Sequence, residues 1–330
     1  MKQAVLVGLP QYIPLAYPEE VRNEIGKMVT LLPGSFQGAE WKERGSDLAE
    51  AEFLLATWGM PVLDRAFLEA APRLRAVFYA AGSVKGFATP ESYARGILIS
   101  SAWEANAVPV AEYSLSTILL GLKGFWLTQR QMRGGSFSHD RSPVAGAYRT
   151  KVGLVSLGAI GRRVAAHLSR FEVNVIAYDP FADPVKSAEL GVTLVSLGEL
   201  FAQSDVVSIH APWLPETEKM INGALLSSMK SGACLINTSR GAVIDEEDLC
   251  RVLGERADLT AVLDVTHPEP PLPDSPLRTL ENVILTPHIA GSMGGEISRM
   301  GRWMVDELSR QLDGKELHHL IPQDMLSRMA

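Results

Sequence analysis

The chain has 330 residues, 46% apolar and 21% charged; this length favours two domains and the composition excludes wholesale disorder. Net charge is −7 and no run of basic residues occurs, so nucleic acid is not an expected partner. Two cysteines, Cys234 and Cys250, are too few for a disulfide scaffold or a structural metal cluster; both read as plain thiols, and no metal is expected.

The first apolar run, residues 4–9, is short, meets Pro10 and Pro14, and lacks a small-residue cleavage site, so it reads as a buried strand and not as an export signal. Strands are expected at 4–7, 53–56, 76–79 and 97–99, with helices at 18–29 and 61–70, the second opening on a proline in its first turn. Strand alternating with helix implies a parallel sheet covered on both faces. Residues 107–131 predict one long helix, apolar nearly all round and therefore buried on several sides, with a second subunit as a candidate neighbour. Glu112 and Lys123 interrupt it, which argues against a bilayer span and for a cytoplasmic protein without a membrane partner.

The polar, glycine-rich stretch 134–143, around His139, reads as an extended arm. From Lys151 the alternation restarts. Strands are expected at 152–156, 173–178, 192–195, 206–210, 234–237, 259–263 and 283–285, with helical spacing at 160–171 and 246–254. The tail, 296–312, is an amphipathic helix, and His318 and His319 beyond it are expected to be exposed.

The first strand of this second series runs into Ser156-Leu157-Gly158-Ala159-Ile160-Gly161 and then a helix. This is a dinucleotide-binding turn with serine in place of the first glycine. Gly158 would let backbone approach a pyrophosphate and Gly161 would let the helix pack on the strand, while the helix start at Ala159 and Ile160 offers N–H groups to phosphate. Serine is tolerable at position 156 if it keeps φ below zero. The next strand ends at Asp179, about 20 residues beyond Gly158, where a carboxylate accepts from the ribose hydroxyls of NAD and repels the 2′-phosphate of NADP. NAD is the expected cofactor.

Three further strings put a reactive side chain just past an expected strand, at the edge where open α/β sheets bind ligands. Arg240-Gly241 follows Asn237-Thr238-Ser239, and a guanidinium there can direct a fork of donors at a carboxylate and a carbonyl oxygen. Asp264-Val265-Thr266-His267-Pro268-Glu269-Pro270 follows the next strand, and Thr286-Pro287-His288-Ile289-Ala290-Gly291 the last.

In these strings the chain resembles the D-isomer-specific 2-hydroxyacid dehydrogenases, which include phosphoglycerate dehydrogenases and glyoxylate or hydroxypyruvate reductases. The resemblance implies two Rossmann-like, doubly wound α/β domains: a flavodoxin-like substrate domain of residues 1–101 plus 290–330, and an NAD domain of 102–289 inserted in it. It implies that Arg240 binds substrate, that His288 is the acid/base and that Glu269 pairs with it. Histidine suits the task because it exchanges a proton near neutral pH, and a carboxylate on its other nitrogen fixes the tautomer. By the same resemblance Ala211, Pro212, Thr238, Asp264 and Gly291 line the cofactor; the plain alternative for Asp264 is a loop cap. His210 reads as wall. His267 either shapes the pocket or faces solvent.

The resemblance also implies that backbone N–H groups of Gly82, Ser83 and Val84 grip the substrate carboxylate, in a loop whose glycines can form an anion-binding nest. Lys85 departs from the family pattern there, and Trp103 is a further candidate for the pocket wall. The implied activity is NAD-dependent interconversion of a small D-2-hydroxy acid and its 2-keto acid by a homodimer. Two alternatives stay open: an NAD(H)-sensing, co-repressor-like binding protein, and a dehydrogenase of another small anion such as phosphite.

Overall fold

The computed structural model describes residues 1–136 and 144–329, and most of the expected arm, His139 included, lies outside them. The chain forms two compact units, Met1–Asn106 with Ser292–Met329, and Ala107–Gly291. Among the described residues no helix is long and apolar enough to cross a membrane.

The first unit holds β1 (Gln3–Val7), β2 (Thr30–Phe36), β3 (Phe53–Ala56), β4 (Ala76–Tyr79) and β5 (Leu98–Ser101). They form one sheet in the order β2-β1-β3-β4-β5, with every pairing parallel. Alternate residues serve opposite faces. Leu6, Leu55 and Phe78 pack against Val21 and Ile25 of helix Glu19–Met28 and Met300 and Met304 of helix Gly295–Leu312. Val5, Leu54 and Val77 pack on the other side, against Phe67 and Leu68 of helix Arg65–Ala70. Burial on both faces explains why β3 and β4 are continuous apolar runs.

Two features of this unit differ from expectation. Strand β2 carries Pro33 and Gly34, which hide it from a propensity reading; it is tolerated because it is the sheet edge, and the register slips between Ala4 and Leu6 of β1 opposite it. The helix expected from residue 61 starts at Arg65, because the Asp64 side chain accepts from the Phe67 N–H and caps it there.

The second unit holds β6 (Tyr148–Val155), β7 (Glu172–Tyr178), β8 (Val192–Leu194), β9 (Val206–Ile209), β10 (Cys234–Asn237), β11 (Thr260–Leu263) and β12 (Val283–Leu285). Their order is β12-β11-β10-β9-β6-β7-β8, again parallel throughout. The chain runs outward in one direction from β6 and in the other from β9, so the crevice at their carboxyl ends is a topological switch point. One face packs on helix Glu246–Glu255 through Leu249, Val252 and Leu253. The other packs on helices Trp103–Leu122 and Ala159–Leu168 through Ile118, Leu122, Val164 and Leu168. Cys234 is buried in this second layer, and burial pushes its thiol up to about 12, as befits an inert core residue.

The single long helix expected over 107–131 is two. It breaks at Gly124, whose φ of 58° is left-handed, and resumes as Phe125–Arg133. The second piece buries no residue, contrary to the burial expected of it: Phe125 is 46% and Met132 59% exposed.

Candidate active site

The glycine turn is built at the end of β6. Ser156 was expected to keep φ below zero; instead it sits at 79°, in the left-handed region. The turn from strand to helix demands that conformation, which is why glycine is usual there. Serine is held in it by hydrogen bonds: its Oγ donates to Asp179 Oδ2 at 3.2 Å, and the Leu157 N–H donates to the same oxygen at 2.7 Å. Left-handed backbone costs a non-glycine residue about 1–2 kcal/mol, of the same order as the hydrogen bond gained. Ser156→Gly should therefore leave the melting temperature within about 2 °C, whereas Ser156→Val, strained and without the hydroxyl, should lower it by about 4 °C or more.

Gly161 lies where a Cβ would overlap the Ser156 carbonyl, so the helix leans on the turn as expected. Gly158 is the N-cap, with no capping side chain, and Ala159 and Ile160 open the first turn. Arg162, not singled out by the sequence, braces the turn by donating to the Leu157 carbonyl at 2.7 Å. Asp179 also accepts from the Phe181 N–H on Oδ1 at 2.9 Å, which leaves acceptor capacity on that oxygen. An uncapped helix start, close backbone and a free carboxylate lone pair fit an NAD cofactor.

His210 follows β9 at the switch point. It is buried, its Nε2 lies 3.1 Å from Ser208 Oγ, and burial lowers its pKa to about 4, so it is a neutral wall residue. In the unfolded chain it titrates at the ordinary histidine value. Between these two values the unfolded state binds more protons, so stability falls as pH drops through that window. His210→Gln should flatten that acid limb; the wild-type loss from this group by pH 4 is about 3 kcal/mol, read by urea unfolding at about pH 7 and pH 4.5.

At the end of β10 the buried Asn237 organises the arginine turn. Its Nδ2 donates to the Arg240 carbonyl at 3.0 Å, while its Oδ1 accepts from the Ser239 N–H and Oγ at 3.0 and 2.8 Å. Arg240 Nη1 donates to the Ser239 carbonyl at 2.7 Å. Burial lowers the pKa of this guanidinium and the charge of Glu269 opposes the shift; the group stays cationic. A Cβ on Gly241 would overlap the Thr266 carbonyl, so the loops after β10 and β11 touch through that glycine.

Glu269 and His288 come together from the ends of β11 and β12, with Oε1 2.6 Å from Nδ1 and side chains 42% and 48% exposed. His288 has φ 55°, an unusual conformation for a non-glycine residue. Asp264 holds it. The carboxylate accepts from the Ile289 and Ala290 N–H groups at 2.9 and 2.8 Å and from Thr286 Oγ1 at 2.5 Å, and the Asp264 carbonyl accepts from the His288 N–H at 2.9 Å. These bonds make the buried Asp264 a cap of the histidine loop.

His267 is exposed, its ring edge-on to Trp213 at 5.0 Å, and its N–H donates to Glu246. Ala211 is buried, the Pro212 carbonyl accepts from Thr217 Oγ1 at 2.6 Å, Thr238 is buried, and Gly291 is half-buried at the end of the unit. Among the described residues no group of three His, Cys, Asp or Glu is placed to hold a metal ion.

Gly82, Ser83 and Val84 follow β4 in the other unit. Neither Gly82 nor Gly86 has positive φ, so the loop does not form the left-handed element of a nest, and the Val84 side chain is wholly buried. Lys85 is exposed. In the same unit His318 is exposed, whereas His319 is half-buried and stacked on Trp303 at 4.5 Å, contrary to expectation.

Residues 115–290 match the family model described as D-isomer specific 2-hydroxyacid dehydrogenase, NAD binding domain. The D-3-phosphoglycerate dehydrogenase of Mycobacterium leprae is 32% identical over 266 residues, 81% of this chain and 50% of that protein. The glyoxylate reductase of Korarchaeum cryptofilum is 32% identical over 268 residues, 80% of this chain and 81% of that protein. The chain thus spans about half the length of the curated phosphoglycerate dehydrogenases it matches. A solved structure of D-lactate dehydrogenase from Aquifex aeolicus, complexed with NAD and lactic acid, is 26% identical with a TM-score of 0.72, covering 94% of this chain and 96% of that one. The chain belongs to the D-isomer specific 2-hydroxyacid dehydrogenase family, and residues 115–290 are its NAD-binding domain.

Proposed function

We propose that the protein interconverts a small D-2-hydroxy acid and its 2-keto acid with NAD. The observation that carries this reading is the 2.6 Å pair of Glu269 and His288, one strand away from the Arg240 turn on the same sheet edge. NAD, when bound, supplies or accepts the hydride at the carbonyl carbon. Glu269 takes the Nδ1 proton of His288 as a hydrogen bond, which leaves Nε2 to give a proton to the carbonyl oxygen in reduction and to recover it in oxidation. Arg240 supplies two parallel donors, one set for the substrate carboxylate and one for the oxygen on which charge develops. Asp179 favours NAD over NADP by repelling a 2′-phosphate.

The same reading includes a cytoplasmic homodimer that binds neither nucleic acid nor membrane. Exposed Phe125 and Met132 on a helix with no buried residue support a self-association face, and sedimentation would give the mass. The activity is tested by following NADH oxidation with glyoxylate, hydroxypyruvate, pyruvate, 2-ketoisocaproate and phosphohydroxypyruvate, then repeating with NADPH. Turnover of at least one acid, faster with NADH, is expected. NADH binding with no turnover on any of them would overturn the reading, and a preference for NADPH would remove the role given to Asp179.

A further inference from the structure

We infer that Tyr113 and Ser114, neighbours on helix Trp103–Leu122, are positioning residues that tie the histidine loop and the arginine loop to one rigid element; the inference rests on the roles proposed above for Arg240 and His288. Ser114 is fully buried, and its Oγ lies 3.2 Å from Thr238 Oγ1, two residues before Arg240. The Tyr113 hydroxyl lies 3.2 Å from Thr286 Oγ1, two residues before His288.

Proton direction follows from the partners. Thr286 has a single hydroxyl hydrogen and donates it at 2.5 Å to Asp264 Oδ1, the oxygen that also accepts from the Ile289 N–H. Tyr113 therefore donates to Thr286. The resulting chain runs from the helix through Tyr113, Thr286 and Asp264 to the Ile289 and Ala290 N–H groups that follow the left-handed His288.

Successive residues on a helix point about 100° apart, so 113 and 114 suit targets on different strands. Those targets leave β12 and β10, which are separated by β11 and hence by about 10 Å. Past Leu285 and Asn237 a few backbone bonds continue the ladder, from Thr286 to Leu263, from Asp264 to Asn237 and from His288 to Asp264, and the helix adds a side-chain tie to each outer loop. Other hydroxyls of this helix behave differently: Ser116 and Thr117 bond back to the carbonyls of Glu112 and Tyr113, four residues earlier, while Ser114 turns outward to Thr238. Neither Tyr113 nor Ser114 touches the reacting groups.

The test uses Tyr113→Phe, Ser114→Ala and Ser114→Thr in the full chain, with kcat and KM for the best 2-keto acid, NADH affinity by fluorescence, and amide hydrogen exchange. Tyr113→Phe should lower kcat about 5-fold to 10-fold with KM within about twofold, the size expected from losing one neutral hydrogen bond. Ser114→Ala should instead raise KM about 5-fold with a smaller fall in kcat, since Arg240 serves both the carboxylate and the developing charge, and Ser114→Thr should restore both. NADH affinity should not move. Exchange at Ile289 and Ala290 should quicken in Tyr113→Phe alone, and at Ser239 in Ser114→Ala alone. Equal changes in both parameters for both variants, or wild-type kinetics and exchange with only a lower melting temperature, would overturn the inference. If no 2-keto acid is turned over by the parent chain, the proposed activity fails, and the exchange pattern still decides whether the two hydroxyls hold the loops.

Discussion

His288→Gln should lower kcat for 2-keto acid reduction by about 100-fold to 10,000-fold, the usual contribution of a positioned acid/base. Glutamine still has an amide to donate to Glu269, so the loop geometry should survive. It has no titratable proton, so the step that neutralises the developing alkoxide loses its donor. Asp264 clamps the loop through the Thr286 hydroxyl and the Ile289 and Ala290 N–H groups and does not depend on the imidazole, which protects the fold of the loop. NADH affinity, measured by fluorescence, should therefore stay within about twofold, since the contacts at the glycine turn are untouched. A variant that kept most of its kcat would show that the proton comes from elsewhere.

Arg240→Lys should reduce kcat/KM by about 100-fold to 1,000-fold although the charge is retained. The guanidinium is held by its bond to the Ser239 carbonyl and by the turn that Asn237 closes, at 2.7 and 3.0 Å. That arrangement aims a planar fork, and an ammonium cannot present two parallel donors to a carboxylate. Burial also disfavours the charge at this position, and a lysine there loses its proton far more readily than an arginine. Steady-state kinetics with NADH in excess separate the two effects: a loss confined to KM marks carboxylate binding alone, and an equal loss in kcat marks polarisation of the carbonyl as well. Near-normal kcat/KM in the lysine variant would reduce Arg240 to a point charge.

Much of the site could be read in one dimension because parallel α/β sheets put chemistry at a predictable place. Cys234–Asn237 is wholly buried and the edge run Val283–Leu285 half-buried, and in both a short apolar run marks the strand. Whatever polar residue follows such a run stands at the ligand-binding edge, which is how Arg240, Glu269 and His288 were legible. The turn after β6 was legible for the same reason, through Gly158, Gly161 and Asp179.

Several unforeseen features depend on a partner far away in sequence. Strand β2 contains Pro33 and Gly34 and exists because it has an edge to occupy. Ser156 adopts φ 79° because Asp179, on the next strand, accepts from it and from Leu157. Asp264 caps the loop around His288, 25 and 26 residues away at Ile289 and Ala290, a task its own neighbours do not reveal. Tyr113 and Ser114 looked like ordinary residues of an apolar helix.

Local pattern was thus enough to place most strands and the side chains that follow them. Burial periodicity and residue type are properties of a few neighbouring positions, and they survive without knowledge of the fold. Which hydrogen bonds hold those side chains was settled only by the packed chain. Glu269 and His288 lie 19 residues apart, Asp264 and Thr286 22, and Tyr113 and Thr286 173, and no local propensity encodes a distance that only sheet order creates.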